Sequence, residues 1–177
     1  MNQITPWKEL KREQFFKKYS RVIERVDYKL PNGTETDFYI KKEGPAAAIF
    51  AMTENEEVIL ARQFRPGPGR VLNELPGGFI DPGENALEAI QREFLEETGY
   101  EGAFTEIGTC LDDAYSTMER HCFVATNCKK VSEPQNTDTE QTELVHMSLS
   151  EFRKQLRSGQ MTDIEVGYLA LDYLGLL

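Results

Sequence analysis

The segment over residues 77–100, GGFIDPGENALEAIQREFLEETGY, limits the possible folds of this chain more than any other stretch. It begins with a loop that contains Gly-Gly and Pro-Gly, and Asn85 and Glu88 then have the spacing of a capping box. A capping box marks the first turn of a helix, and Gly99 is of the type that adopts the left-handed conformation at helix ends. The sequence therefore predicts a helix between Asn85 and Gly99 that is entered from a glycine-rich loop.

This predicted helix carries three carboxylates within one turn, Glu93, Glu96 and Glu97, and the loop before it adds Asp81 and Glu84. Like charges three or four positions apart weaken a helix by about 0.2–0.5 kcal/mol per pair. A solvated acidic face is the ordinary explanation of such a helix. Here, however, the loop brings further carboxylates to the helix, and its glycines let backbone carbonyls approach a ligand. Since Mg²⁺ prefers oxygen ligands and keeps substrate phosphates, the cluster indicates a metal site for phosphate chemistry.

The composition restricts the kinds of partner that the chain can bind. Its formal net charge is −10, although residues 1–30 hold eight Lys or Arg and four Asp or Glu. A body this acidic argues against binding a nucleic acid polymer, whereas a divalent cation can still bridge it to a phosphorylated small molecule. No apolar run approaches the ~20 residues of a membrane span, and the N-terminus lacks the apolar core of a signal peptide. We therefore expect a cytoplasmic protein with no membrane partner.

The remaining segments predict strands with a few helices. Thr5 and Pro6 have the types expected at an N-cap and a first helical position, so we expect a short helix over residues 5–19. Asn32-Gly33, between two alternating segments, predicts a β-hairpin.

Two C-terminal helices are expected to start at capping boxes, Ser148 with Glu151 and Thr162 with Glu165. These elements predict an α+β domain with mostly antiparallel strands and helices packed on them.

The central segment resembles the Nudix box. Gly78, Glu84 and the run Arg92-Glu93-Phe94-Leu95-Glu96-Glu97-Thr98-Gly99-Tyr100 match its residue types and spacing. The resemblance implies an α/β/α sandwich around a mixed, mostly antiparallel sheet, and it implies hydrolysis of a nucleoside diphosphate linked to another group.

The same resemblance implies roles for individual residues. Glu93 and Glu97 would be the main ligands of Mg²⁺, or of Mn²⁺ as the alternative metal, and Glu96 and the carbonyl of Gly77 would assist. Arg92 would orient a glutamate. Glu84 would brace the loop.

The residues before the box indicate a branch of the family. The stretch RQFRPGPGRVLNELPGG, residues 62–78, is similar to ADP-ribose and nucleotide-sugar pyrophosphatases, in which the residues matching Arg65 and Glu74 help to hold the substrate. The N-terminal hairpin also resembles the strands that these enzymes contribute to a homodimer. We therefore expect residues 1–44 to form a helix and hairpin extension for dimerisation, and residues 45–177 to form the hydrolase domain.

The general base is expected in an acidic loop before a late strand, the place where this branch tends to carry it. Residues 137–149 fit that placement; Glu140 is the first choice, Glu143 the second and Glu119 the third.

The leading substrate is ADP-ribose, cleaved to AMP and ribose 5-phosphate. Tyr115, which stands where ADP-ribose pyrophosphatases often carry a proline, is more typical of diadenosine polyphosphate hydrolases, which keeps that activity open. A Nudix-fold sensor that binds without turnover is the other alternative.

Overall fold

The structure, a computed structural model, describes residues 4–136 and 141–177 of the chain. The chain divides into two compact units, Met1–Gly44 with Leu111–Glu119, and Pro45–Cys110 with Arg120–Leu177. The segment Leu111–Glu119 was not foreseen as part of the first unit, and the functional division between residues 1–44 and 45–177 stays a prediction. Within the described residues, the strands are β1 (Lys8–Lys18), β2 (Arg21–Lys29), β3 (Glu35–Lys41), β4 (Ala46–Thr53), β5 (Glu57–Arg65), β6 (Arg70–Glu74), β7 (Gly77–Phe79), β8 (Tyr100–Glu101), β9 (Thr105–Leu111), β10 (Glu119–Lys130) and β11 (Thr142–Ser148). The helices there are α1 (Ala86–Thr98), α2 (Leu149–Ser158) and α3 (Ile164–Tyr173).

The first unit is built on an antiparallel sheet of three strands in the order β1-β2-β3. The predicted hairpin around Asn32-Gly33 is confirmed, since β2 and β3 pair from Lys29 opposite Glu35 to Ile23 opposite Lys41.

The predicted N-terminal helix is wrong, because Lys8–Lys18 forms strand β1 and pairs with β2. The turn between these strands places Tyr19 at a positive φ of 53°. Arg12 donates to the largely buried Glu24 on β2 at 2.7 Å, so cross-strand ion pairs support the strand. Pairing with β2 outweighs the local signal of Thr5 and Pro6, since a strand is stabilised mainly by its cross-strand neighbours.

The second unit contains a mixed sheet of eight strands whose main order is β11-β5-β4-β10-β8. Strands β4 and β10 are parallel, whereas the pairs β8–β10, β5–β11, β4–β5, β4–β7 and β5–β6 are antiparallel. In addition, β6 pairs with β5, β7 with β4, and β9 with β10.

Helices pack on both faces of this sheet, as side-chain alternation along β4 requires. Ile49 contributes to a cluster with Ile90 and Phe94 of α1. Phe50 belongs to a separate cluster with residues of α2 and α3 such as Phe152. The α/β/α sandwich predicted from the sequence is therefore confirmed.

Local signals define two of the three helix starts as predicted. Asn85 and Glu88 form a complete capping box on α1, and Gly99 ends that helix with φ 74°. Ser148 and Glu151 form the same motif on α2. The box predicted at Thr162 is wrong, because Asp163 occupies the N-cap of α3 without a side-chain cap. None of the helices in the described part of the chain is long and apolar enough to cross a membrane.

Candidate metal and substrate site

The carboxylates of α1 lie against the glycine-rich strand β7. This strand is fixed by pairing with β4, which places Gly77 opposite Ala48 and Gly78 opposite Ala47. From α1, the Glu97 side chain accepts a hydrogen bond from the Gly77 N–H at 2.9 Å and another from Gln63 Nε2 at 3.4 Å. Glu97 is 5% exposed, so it is a buried carboxylate anchored to two elements of the sheet.

Glu93 occupies the space beside the Cα of Gly78. A Cβ atom added to Gly78 would overlap the Glu93 carboxylate. A glycine is therefore needed here for space, so that the carboxylate can lie directly on the backbone of β7.

Arg92 contacts the other four carboxylates of the cluster. Its Nε and Nη2 donate to Glu84 at 2.8 and 3.0 Å, and its Nη1 donates to Glu93 at 2.8 Å. Nη1 is also 3.5 Å from Glu96, and Nη2 is 3.8 Å from Asp81. The bidentate hydrogen bond from Arg92 to Glu84 links the loop to α1, which is the geometry expected if Glu84 stabilises the loop.

The ionised form of Glu84 is strongly favoured. Its hydrogen bonds from Arg92 and from the Asp81 backbone N–H lower the pKa of Glu84 from 4.5 to about 2. Glu84 therefore stays charged across the range in which most proteins are folded.

The donor set suits a hard divalent cation. Among the described residues, no three His, Cys, Asp or Glu side chains already form a metal-binding group. The carboxylates do not converge on a single point because the Arg92 guanidinium holds Glu93 and Glu96 in ion pairs. One guanidinium cannot balance the carboxylates of Asp81, Glu84, Glu93, Glu96 and Glu97, so the cluster stays negative. Its ligand atoms are all oxygens, which is the chemistry that Mg²⁺ or Mn²⁺ requires.

Arg65 and Glu74, the predicted substrate residues, contact each other. Arg65 Nε donates to Glu74 Oε2 at 2.5 Å, and the Thr162 hydroxyl donates to Glu74 Oε1 at 2.6 Å. The Arg65 side chain is 37% exposed, whereas Glu74 is fully buried. This geometry lets Arg65 reach a ligand and leaves Glu74 to hold it in place. The substrate roles of both residues remain predictions.

The candidate bases lie in three different settings. Glu140, the first choice, is outside the described residues. Glu143 on β11 is opposite Arg62 and forms an ion pair with it at 3.3 Å. Since side chains alternate along a strand, Glu143 faces away from the side on which Gln63 bonds Glu97, so it is not brought to the cluster. Glu119 begins β10 and belongs to the first unit.

Two residues that contact predicted site residues, Gln63 and Thr162, were missed by sequence reasoning. The structure also shows the surroundings of Tyr115. Gln63 could have been found from the alternation of β5, which puts it on the α1 face. Thr162 gave no local signal, because its partner Glu74 is 88 residues away. Tyr115 is not a core residue: it is 53% exposed and stacks on Phe38 with ring centroids 6.1 Å apart.

Replacing Gly78 with Ala is expected to lower turnover by about 10²-fold, because the new Cβ displaces Glu93, and a shift of about 1 Å in a catalytic group can have such an effect. The displaced atoms end a flexible side chain, so the midpoint of thermal unfolding should change little. Gly67→Ala is the matched control, since nothing lies within 4 Å of its Cβ position. Equal kcat values for the two variants would show that the Glu93 position is unimportant.

The Arg92–Glu84 link is expected to make metal-free stability depend on acid pH. Because the pKa of Glu84 is about 2 in the folded protein and 4.5 in the unfolded chain, its stabilisation is fully present above pH 4.5 and is lost as the pH falls towards 2. The difference in unfolding free energy between the protein and Glu84→Gln, measured in EDTA, should therefore be constant above pH 5 and shrink below it. A difference that grows on acidification contradicts this.

Comparison with known proteins identifies the family. The NUDIX domain matches residues 42–164, so the chain belongs to the NUDIX family. Its β7–α1 segment with the carboxylate cluster lies inside the matched region, and the chain is a Nudix pyrophosphohydrolase.

Individual relatives cover nearly the whole chain. The chain is 29% identical to ADP-ribose pyrophosphatase of Bacillus subtilis (strain 168), over 96% of this chain and 92% of that relative. It is 26% identical to methanol dehydrogenase activator of Bacillus methanolicus, over 99% and 96% of the two chains. The crystal structure of ADP compounds hydrolase is similar with a TM-score of 0.79 at 19% identity, and the match covers 100% of both chains. This last similarity establishes the fold.

Proposed function

We propose that the protein hydrolyses the diphosphate linkage of a nucleoside diphosphate sugar with Mg²⁺, and that ADP-ribose is cleaved with one water to AMP and ribose 5-phosphate. The observation that carries the proposal is the cluster in which Glu93 and Glu97 are packed on Gly77 and Gly78. Similarity to an ADP-ribose pyrophosphatase over 96% of the chain supports the choice of substrate.

Four groups of the cluster would hold the cation. Glu93 and Glu97 are the proposed main ligands, assisted by Glu96 and the carbonyl of Gly77. When bound, Mg²⁺ would neutralise charge on the diphosphate and lower the pKa of the attacking water. Glu97 is held by the Gly77 N–H and Gln63, so its carboxylate is oriented before any ligand arrives.

The proposed substrate contacts and the base come from outside α1. Arg65, held by Glu74, would donate hydrogen bonds to an anionic part of the substrate, and charge-assisted bonds of this kind are stronger than neutral ones. Glu140 would take the proton of the attacking water; Glu143 and Glu119 are the alternatives.

A panel of substrates tests the activity. ADP-ribose, other nucleoside diphosphate sugars and diadenosine polyphosphates are incubated with Mg²⁺ or with EDTA, and the products are resolved by chromatography. We expect AMP and ribose 5-phosphate from ADP-ribose, in Mg²⁺ and not in EDTA. Preferred cleavage of diadenosine polyphosphates, the activity suggested by Tyr115, would replace the proposed substrate. Binding of ADP-ribose without any product would indicate a sensor.

The first unit is expected to mediate a homodimer. Strand β1 is exposed along nearly its whole length, and Phe15 and Phe16 on it are 64% and 49% exposed. A β-sheet edge with such side chains favours pairing with another chain. Sedimentation at micromolar concentration should give a dimer, and Phe15→Glu/Phe16→Glu should give a monomer. A monomeric unsubstituted protein, or a variant that remains dimeric, would contradict this assignment of the surface.

A further inference from the structure

A basic groove of about 580 Å³ lies between strand β6 and helix α2 in the second unit. Its lining includes three cationic side chains, Arg62, Arg70 and Lys154, and no Asp or Glu. This is unusual in a chain that has 30 acidic and 20 basic residues. The groove is open to solvent, so a ligand there would be held mainly by its charge.

Two of the three cations make no side-chain hydrogen bond or ion pair with the described residues. Arg62 donates to Asn73 Oδ1 at 2.8 Å and forms an exposed ion pair with Glu143 at 3.3 Å. Arg70 and Lys154 are exposed and form no hydrogen bond or ion pair with any side chain of residues 4–136 or 141–177, although Lys154 interacts electrostatically with Glu151 one turn earlier on α2. Their charge is therefore available to an anion from solution.

The strand register places a further arginine, outside the groove lining, opposite Arg70. In the β5–β6 pair, Arg65 is directly opposite Arg70, and like charges opposite each other on a sheet repel. Glu74 neutralises Arg65, but Arg70 has no corresponding carboxylate. Of this pair, Arg70 is therefore the arginine whose charge is not compensated by a carboxylate contact among the described residues.

Hydrogen bonds hold the walls of the groove together. Gln155 Nε2 of α2 donates to the backbone carbonyl of Asn73 on β6 at 2.6 Å. The side chain of the same Asn73 holds Arg62. These bonds fix α2, which carries Lys154, against β6, so less ordering of the groove's backbone is needed when a ligand binds.

We propose that this groove is a binding site for the phosphate group of a small phosphorylated metabolite. Arg70 and Lys154 would contact the phosphate oxygens, and Arg62 would add a fixed guanidinium. Guanidinium groups match phosphate geometry, and lysine contributes a point charge. The carboxylates on α1 repel a free phosphate in the absence of metal, whereas this groove attracts one. The site requires neither bound metal nor hydrolysis, so it stands independently of the proposed function.

Titration of the metal-free protein tests the site. Inorganic phosphate, AMP and adenosine are added in EDTA at constant ionic strength, and binding is followed by the NMR shifts of the Asn73 and Gln155 amides. We expect saturable binding of phosphate and of AMP, but not of adenosine. Equal affinity for the first two means that phosphate alone is recognised, and tighter binding of AMP means that the nucleoside contributes as well. Absence of saturable phosphate and AMP binding overturns the proposal, as does equal binding of adenosine.

A pair of charge-matched variants separates specific contacts from general attraction. Arg70→Gln/Lys154→Gln should raise the Kd for AMP by at least about tenfold, since charge-assisted hydrogen bonds to phosphate are lost. Lys129→Gln/Lys130→Gln removes the same charge from exposed positions on β10 outside the groove lining and should change the Kd by less than about twofold. Both variants should retain the amide spectrum of a folded protein. Equal weakening in the two variants would overturn the site.

Discussion

Glu97→Gln should lower the turnover of ADP-ribose by at least about 10²-fold, the lower end of the range for losing a preorganised electrostatic group. The substitution keeps the size of the side chain and an oxygen that can accept from the Gly77 N–H, the contact seen at 2.9 Å. It removes the negative charge of a carboxylate that is 5% exposed and anchored to the sheet. We therefore expect kcat to fall while the protein remains folded.

Glu88→Gln is the matched control, because it removes one carboxylate from the same helix. Glu88 lies at the third position of α1, where it bonds the Asn85 backbone N–H, and Gln also serves at that position of a capping box. The control should retain nearly full kcat at saturating Mg²⁺. Near-normal turnover of Glu97→Gln under the same conditions would remove Glu97 from the site.

Elements fixed by neighbouring residues could be predicted from the sequence. Helix α1 has its start signal at Asn85 and its end signal at Gly99, and in the structure these residues cap the two ends of the helix. The turn at Asn32-Gly33 likewise specifies the β2–β3 hairpin through its own backbone preference.

Features that depend on distant residues could not be predicted in the same way. Residues 8–18 carry no signal that identifies β2 as their partner, and the nearby Thr5 and Pro6 indicated a helix. Thr162 has the spacing of a capping box with Glu165, yet its hydroxyl bonds Glu74. In both cases a long-range contact outweighs a local preference of about 1 kcal/mol or less.

In the candidate site, too, contacts between residues close in sequence could be predicted and contacts between distant residues could not. The sequence placed Glu93, Glu96 and Glu97 on one helix, but helical spacing could not relate Arg92 to Glu84. In the structure, the shortest contacts of Arg92 are with Glu84 and Glu93. Only the folded loop brings Glu84 within reach of Arg92, because eight positions separate the two residues.

Mg²⁺ is expected to stabilise the folded protein through this cluster. Arg92 compensates part of the charge, and the remaining carboxylates repel one another in the absence of metal. A ligand that binds the folded state alone adds about 2.7 kcal/mol at a hundredfold excess over its Kd. For a domain of this size, that free energy corresponds to a rise in Tm of about 5–10 °C.

The most direct measurement is thermal unfolding, in EDTA and in Mg²⁺, of the unsubstituted protein and of Glu93→Gln/Glu97→Gln. A second variant, Glu88→Gln/Glu101→Gln, removes the same number of charges outside the cluster. We expect Mg²⁺ to raise the Tm of the unsubstituted protein and of this control by similar amounts, and to leave the Tm of Glu93→Gln/Glu97→Gln unchanged. If Mg²⁺ shifts all three midpoints equally, or shifts none, the acidic turn of α1 is a solvated face and not a metal site.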